Sequence, residues 1–146
     1  MSRKVKVWRA DIDNVSIDEA LRCIDQMILN GGSNLVVTPN VDHLVRLDKS
    51  EEFREIYRNA SLVLADGMPI MWSAWLLGTP LKEKVSGSDL FVRYCEHASQ
   101  TGTKLFFLGG EKGAADEAMR RLVKLYPGLN VVGTLCPPYG FDADGT

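Results

Sequence analysis

The chain has 146 residues, 45% of them apolar and 25% charged, with a formal net charge of -2 at pH 7. This length is typical of a single domain, and the composition is that of a globular protein, which excludes an intrinsically disordered chain. The small negative charge offers no basic field for nucleic acid, so we expect no nucleic-acid partner.

Cysteine usage and hydropathy limit the class of protein further. Cys23, Cys95 and Cys136 are widely spaced and include no CxxC pair, which predicts free thiols in a reducing compartment. No stretch approaches the ~20 apolar residues that span a bilayer, and the basic N-terminus lacks the apolar segment of a signal peptide. We therefore expect a cytoplasmic protein, and attachment to the inner face of the cell membrane stays open.

Helical and strand patterns alternate from the N-terminus. A capping box, Ser16-Ile17-Asp18-Glu19, begins an amphipathic helix that runs to about Asn30. A short apolar, β-branched run then predicts a buried strand, which Pro39 ends because its nitrogen cannot donate to a neighbouring strand. The elements predicted after the first helix are a strand over 35–38, a short helix over 40–47, a helix capped by Ser50 and a strand over 62–65.

The segment from Met68 to Leu77 is apolar on nearly every side and contains Trp72 and Trp75. A helix without a polar face is normally buried or presented to another apolar surface. Two interpretations stay open: the core helix of a larger body, or a surface for an acceptor lipid or a partner.

The alternation continues after a break at Gly78-Thr79-Pro80. The predicted elements are an exposed loop over 82–89, a helix over 88–100, a strand over 104–108, a glycine turn over 109–113, a helix over 114–126 and a strand over 131–135. This order favours βαβ units, so we predict one α/β domain, residues 1–146, with a mainly parallel sheet flanked by helices in a Rossmann-like arrangement. Because 136–146 is rich in Pro, Gly and Asp and has no closing helix, we expect the fold to be incomplete at its C-terminus.

Polar side chains follow two of the predicted strands at the points where they end. They are Thr38, Asn40, Asp42 and His43 after the first strand and Asp66 after the second. Strand ends in an open α/β sheet face the crevice where ligands bind, so these residues predict one composite site and favour an enzyme. Asp66, followed by Gly67, could accept a proton from a nucleophilic hydroxyl, or it could instead cap the next helix.

The residues after the first strand each allow a functional and a structural interpretation. Thr38 and Asn40 could donate to phosphate or sugar oxygens, or they could cap the helix that follows. His43 could carry a proton or be purely structural.

Two further segments could meet a phosphate. Gly109-Gly110-Glu111-Lys112-Gly113 lies between a strand and a helix, but it lacks the spacing of a dinucleotide or Walker loop, so a structural turn is the alternative. Lys82, Lys84 and Ser86 offer charge and a hydroxyl to a diphosphate, or they form a solvated loop. No His, Asp or Glu cluster has metal-ligand spacing, so we expect no metal.

Six segments stand out together by their order and spacing. They are Val36-Val37-Thr38-Pro39-Asn40-Val41-Asp42-His43, Leu64-Ala65-Asp66-Gly67-Met68-Pro69 with Trp72, Leu77-Gly78-Thr79-Pro80-Leu81, Val85-Ser86-Gly87-Ser88-Asp89-Leu90, Phe107-Leu108-Gly109-Gly110 and Tyr126-Pro127-Gly128-Leu129. This set resembles the WecG/TagA/CpsF family of bacterial glycosyltransferases, and the resemblance covers most of the chain, from about Asp13 to Phe141.

The resemblance implies transfer of an N-acetylmannosamine-type sugar from a UDP donor to an undecaprenyl-diphosphate-linked N-acetylglucosamine, with inversion, in cell-surface polysaccharide or teichoic acid synthesis. It implies that Asp66 is the catalytic base and that Thr38 acts beside it. The implied substrate-binding residues are Asn40, Asp42, His43, Lys84, Ser86, Asp89, Gly109 and Gly110. It also implies no metal or other cofactor and a membrane surface as partner, and it leaves a homo-oligomer open.

Two departures from the family bear on this expectation. Lys84 stands where the family commonly has Arg, which keeps the charge but loses the bidentate fork for a diphosphate. Family members also continue with a Gly-x-Pro-Lys-Gln-Glu-type motif and a basic membrane-associating part, so we expect only half of an active site in this chain. A non-catalytic nucleotide- or sugar-phosphate-binding module and a self-associating inactive fragment are the alternatives.

Overall fold

The structure, a computed structural model, describes residues 3–138 and Gly140. These residues form six strands: β1 (Lys4–Val7), β2 (Ala10–Asp13), β3 (Val36–Val37), β4 (Leu62–Val63), β5 (Lys104–Leu108) and β6 (Asn130–Leu135). They also form six helices: α1 (Ile17–Asn30), α2 (Val41–Lys49), α3 (Glu51–Arg58), α4 (Met68–Leu76), α5 (Gly87–Thr101) and α6 (Ala114–Leu125). The mixed α/β composition is confirmed. In the predicted C-terminal stretch, Tyr139 and 141–146 lie outside the described residues.

The chain divides into two compact units, Met1–Phe91 and Val92–Thr146. Helix α5 begins in the first unit and ends in the second. That both units belong to one domain stays a prediction.

Three helices begin at the capping residues that the sequence indicates, Ser16, Asn40 and Ser50. The Ser16 hydroxyl accepts from the Glu19 amide at 3.3 Å, and the Glu19 carboxylate accepts from the Ser16 amide at 2.8 Å. This reciprocal pair is the predicted capping box. Asn40 and Ser50 cap α2 and α3, each accepting from the amide three residues further on. These side chains satisfy amides that the first helical turn leaves without a partner.

The first unit has helices on both faces of the parallel pair β3–β4. Val36 pairs with Leu62 and Val37 with Val63. Successive side chains from Leu62 point to opposite faces, and all of them are buried. Val63 and Ala65 join a core with β1, β2 and the helices α2 to α4, whereas Leu62 and Leu64 join a cluster packed against α1. A strand buried on both faces is typical of a parallel pairing.

The predicted continuous, mainly parallel sheet is not seen in the described part of the chain, where the strands form three two-stranded sheets and β1–β2 is antiparallel. In the first unit the reason is a side chain. The Val63 amide points away from β3 and donates to the buried Asp13 carboxylate at 2.9 Å. Asp13 thus ends the ladder at the edge where another strand carbonyl would have to accept.

The second unit contains a βαβ arrangement, as predicted. β5 and β6 pair in parallel from Lys104 with Asn130 to Leu108 with Leu135, with a register shift after Leu105. Helix α6 connects the two strands. The buried residues of this core are Cys95, Ala98, Phe107, Ala115, Leu122 and Leu129.

Replacing Asp13 with Ala should lower the free energy of unfolding by about 1–3 kcal/mol, because the Val63 amide loses its acceptor in a buried strand. Asp11→Ala is the matched control, since Asp11 lies exposed on the same strand. Urea unfolding followed by circular dichroism measures both variants. Equal stability losses in the two would contradict the role assigned to Asp13.

Candidate active site

The two polar strand ends lie side by side because backbone hydrogen bonds continue past β3 and β4. The Leu64 amide donates to the Val37 carbonyl at 2.8 Å, and the Asp66 amide donates to the Pro39 carbonyl at 3.0 Å. Pro39 has no N–H to donate, but its carbonyl still accepts. Backbone hydrogen bonds therefore join the segment that carries Thr38 to the segment that carries Asp66.

A third segment is attached to the same place. The Val85 amide donates to the Ala65 carbonyl at 2.8 Å, which brings the chain to the start of α5. There the Gly87 amide donates to Oδ2 of the half-buried Asp66 at 3.3 Å. The bond fixes one carboxylate oxygen and leaves Oδ1 for another donor.

Asp66 does not cap the helix that follows it. The N-cap of α4 is Gly67, and no side chain bonds to the first amides of that helix. Gly67 has a φ of 109°, a conformation that residues with a side chain rarely adopt. The turn at Gly67 starts α4, while the Asp66 carboxylate bonds across to α5.

Thr38 packs against the same glycine that binds Asp66. A Cβ placed on Gly87 would lie 3.0 Å from Oγ1 of Thr38, which is closer than an ordinary non-bonded contact. Thr38 and Asp66 therefore converge on Gly87, one by packing and the other by a hydrogen bond.

Three helices begin at this junction. α2 starts after Asn40, α4 after Gly67 and α5 at Gly87, and the hydrogen bonds above connect the segments that precede them. Amides of a first helical turn lack intrahelical acceptors, and the helix dipole adds partial positive charge at the same end. The junction therefore favours negative charge.

At the start of α2, Asn40 and His43 have structural partners, whereas Asp42 is exposed. Oδ1 of Asn40 accepts from the His43 amide at 3.0 Å, so the capping alternative is confirmed for Asn40. Nδ1 of His43 lies 2.7 Å from the Tyr57 hydroxyl, and its ring is edge-on to Phe53. Burial raises the pKa of Tyr57 to about 12, so its hydroxyl stays protonated at neutral pH and can donate to His43. Asp42 is exposed in the first turn of α2.

Ser86, Lys84 and Asp89 are paired with one another at the start of α5. The Ser86 hydroxyl accepts from the Asp89 amide at 3.2 Å and donates to Oδ2 of Asp89 at 2.5 Å. Lys84 Nζ lies 3.4 Å from the same oxygen. The hydrogen bond from Ser86, with a smaller contribution from Lys84, lowers the pKa of Asp89 against the opposing effect of desolvation. Of the three groups predicted to meet a diphosphate, Ser86 thus caps α5 and Lys84 pairs with Asp89. Lys82 pairs instead with Glu19, at 2.8 Å.

Gly109 and Gly110 belong to the second unit and lie between β5 and α6. Their φ angles of 105° and 81° fit the predicted glycine turn. The Gly109 amide donates to the Leu135 carbonyl at 2.9 Å, so it extends the ladder of the sheet. The Cys136 thiol lies 3.2 Å from the Gly110 carbonyl. The turn has a structural role, and phosphate binding there stays a prediction.

The described part of the chain bears on two remaining expectations, a metal site and a membrane span. Within residues 3–138 and Gly140, no group of three or more His, Cys, Asp or Glu side chains is placed to hold a metal ion; metal independence of a reaction stays a prediction. No helix in that part is both long and apolar enough to cross a membrane. The cysteines are free.

Gly87 and Tyr57 contact candidate residues but are not among those that the sequence predicts for the site. The sequence contains one signal for Gly87: a glycine stands between two serines at the start of a helix, although glycine has a poor helix propensity. Nothing in the local sequence of Tyr57 indicates its contact with His43, which is 14 residues away.

Comparison with known proteins gives a match to one family. The family model described as "Glycosyl transferase WecG/TagA/CpsF family" matches residues 5–146. An N-acetylglucosaminyldiphosphoundecaprenol N-acetyl-beta-D-mannosaminyltransferase of Bacillus spizizenii (strain ATCC 23059 / NRRL B-14472 / W23) is 26% identical over 98 residues, 67% of this chain and 38% of that protein. A protein of the same name from Staphylococcus aureus (strain NCTC 8325) is 24% identical over 129 residues, 87% of this chain and 51% of that protein. The chain spans about half the length, or less, of these curated relatives.

Gly87→Ala should destabilise the chain by about 1 kcal/mol, because overpacking against Thr38 outweighs the better helix propensity of Ala. In a Thr38→Ala background the same change should be neutral or stabilising. Denaturant unfolding of the two single variants and the double variant gives the coupling energy. A coupling energy near zero would show that Thr38 does not pack on Gly87.

Ser86→Ala should raise the pKa of Asp89 toward its ordinary value, since the Ser86 hydroxyl is the largest cause of its depression. An ionised Asp89 stabilises the fold above the unfolded-state pKa of about 4, and this contribution disappears as the pH falls through the lower folded-state pKa. The variant should therefore show a weaker dependence of stability on pH below that value. A carboxyl NMR titration of Asp89 checks the shift, and an unchanged pKa in Ser86→Ala would contradict it.

Proposed function

The chain belongs to the WecG/TagA/CpsF family of glycosyl transferases, and from this premise we propose that it transfers an N-acetylmannosamine-type sugar from a UDP donor to a lipid-linked N-acetylglucosamine. The names of the two relatives support the sugar and the acceptor. The structural observation that carries the proposal is the convergence of Asp66 and Thr38 on Gly87 at two joined strand ends. The chain spans about half the length, or less, of these relatives, so the activity, the donor and the acceptor are all part of the proposal.

Asp66 is the proposed general base. The Gly87 amide holds Oδ2, so Oδ1 is free to meet the acceptor hydroxyl. Oδ1 takes the proton while the acceptor oxygen bonds to the anomeric carbon of the donor. The bond from that carbon to the UDP oxygen breaks, and its electron pair leaves on UDP. Attack from the side opposite UDP inverts the anomeric configuration.

Negative charge that develops on the leaving diphosphate needs stabilisation by protein groups, because the proposed reaction uses no metal. The starts of α2, α4 and α5 supply backbone amides and partial positive charge at the junction that holds Asp66. This arrangement supports diphosphate binding there. Lys84 adds its charge when it exchanges the Asp89 carboxylate, 3.4 Å away, for the diphosphate.

The other proposed contacts follow from the atoms that remain available. The Thr38 hydroxyl lies against Gly87, whose amide binds Asp66, and it would bind a sugar or acceptor oxygen. Asn40 uses Oδ1 for its cap, so its amide nitrogen is the group that would donate to substrate. His43 and Asp42 would contribute from the first turn of α2.

The proposed place of the reaction is the inner face of the cell membrane, where a lipid-linked acceptor is accessible to a UDP-sugar. The proposed product enters cell-surface polysaccharide or teichoic acid synthesis.

Asp66→Asn should lower transfer by about 10²–10⁴-fold, the contribution of a positioned general base, without changing the thermal unfolding midpoint by more than a few degrees. The protein is assayed with UDP-N-acetylmannosamine and a prenyl-diphosphate-linked N-acetylglucosamine, by release of UDP. Asp11→Asn, an exposed aspartate of β2, is the matched control and should keep full activity. Undiminished turnover in Asp66→Asn would remove Asp66 from the base role.

A further inference from the structure

Three rings meet where helices α2 and α3 pack together. His43 lies on α2, and Phe53 and Tyr57 lie about one turn apart on α3. The imidazole stands edge-on to both rings, with its centroid 5.5 Å from that of Phe53 and 6.2 Å from that of Tyr57, at interplanar angles of 86° and 90°. Such perpendicular contacts are a preferred arrangement of aromatic rings. They hold the plane of the imidazole, but they do not determine which of its nitrogens carries the proton.

The Tyr57 hydroxyl determines the position of that proton. It lies 2.7 Å from Nδ1 of His43, and either group could donate. If Nδ1–H donated, the hydroxyl proton would need a second acceptor, and Tyr57 has no other hydrogen-bond partner within residues 3–138 and Gly140. Tyr57 is only 8% exposed, and a buried O–H without an acceptor is unfavourable. The hydroxyl therefore donates and Nδ1 accepts.

This direction of the hydrogen bond fixes the tautomer of His43. A neutral imidazole carries one N–H, so an accepting Nδ1 places the proton on Nε2. Burial raises the pKa of Tyr57 to about 12, so the hydroxyl keeps the proton that it donates. Nε2–H can donate a hydrogen bond, and it cannot take a proton from a substrate hydroxyl.

A histidine that acts as a base through Nε2 needs the opposite arrangement. An acceptor, commonly a carboxylate, then holds Nδ1–H and leaves Nε2 without a proton. At His43 the group that faces Nδ1 is a hydroxyl donor. The contact that orients the ring thus works against a base and in favour of a donor.

We propose that Tyr57 is a positioning residue that holds His43 as the Nε2–H tautomer, so that His43 donates a hydrogen bond to a substrate oxygen and does not act as a second base. The tautomer follows from contacts within the chain, whereas the substrate rests on the proposed function. His43 lies in the first turn of α2, and its amide binds Oδ1 of Asn40. Sugar and phosphate oxygens both accept hydrogen bonds, and a helix start offers them further donors.

Nitrogen NMR of the unaltered chain tests the tautomer at about pH 8.5, where an imidazole is ordinarily neutral. Nδ1 of His43 should have the chemical shift of an unprotonated nitrogen, and Nε2 that of a protonated one. The chain has two histidines, so His97 serves as a reference in the same spectrum. A proton on Nδ1 of neutral His43 would overturn the proposal.

Tyr57→Phe removes the hydroxyl and keeps the ring in the core of the first unit. The Nδ1 and Nε2 shifts of His43 should then move toward each other, because the two tautomers interchange, while those of His97 stay constant. Tyr94→Phe is the matched control, since the half-buried Tyr94 ring lies 5.9 Å from that of His97. Unchanged His43 shifts in Tyr57→Phe, or an equal change in Tyr94→Phe, would contradict the role of Tyr57.

Transfer activity separates a donor from a base. Glutamine can place an N–H near the position of Nε2, whereas asparagine ends near the position of Nδ1. His43→Gln should therefore keep activity within about tenfold of the unaltered protein, and His43→Asn should fall about tenfold further, as one lost hydrogen bond predicts. A base would be lost in both variants, so equal losses of about 10²–10⁴-fold would overturn the donor role. If the unaltered protein transfers no sugar, the proposed function is rejected, and the NMR shifts still decide whether Tyr57 fixes the tautomer.

Discussion

The backbone hydrogen bond from the Asp66 amide to the Pro39 carbonyl joins the two polar segments of the candidate site beyond the ends of their strands. β3 and β4 contain only two residues each, so without this bond the polar segments after them would be loops that are free to separate. Proline suits the position because it accepts a hydrogen bond but cannot donate one, and its ring fixes φ. The same residue thus ends the strand and places Thr38 beside the segment that carries Asp66.

Local features of this structure were predictable, and contacts between distant segments were not. The cap at Asn40 depends on residues three positions apart, which is why the sequence indicates it. The bond from Gly87 to Asp66 spans 21 positions, and the bond from Val63 to Asp13 spans 50. Residue type and spacing identify aspartates that can accept, but they do not say which distant amide each one will meet.

The predicted single sheet illustrates the same limit at the level of the fold. Alternating strands and helices indicate parallel pairing, and both β3–β4 and β5–β6 are parallel. The number of strands in a sheet depends instead on what satisfies each edge. At β4 the buried carboxylate of Asp13 accepts the hydrogen bond that a carbonyl of a neighbouring strand would otherwise accept. No periodicity in the sequence indicates that a side chain takes this role.

The electrostatics of the junction depend more on backbone than on side chains. Lys84, Ser86 and Asp89 are already paired with one another, so a diphosphate must compete for them. Three amides at the starts of α2 and α5 have side-chain acceptors, since His43 bonds to Asn40, Asp89 to Ser86 and Gly87 to Asp66. No side chain bonds to the first amides of α4. A site built on helix starts loses little when a guanidinium is replaced by the ammonium of Lys84, because the amides supply directional donors and Lys84 supplies only charge. For the proposed diphosphate leaving group we therefore expect Lys84 to supply the charge of the family's arginine and the helix starts to supply the directional donors.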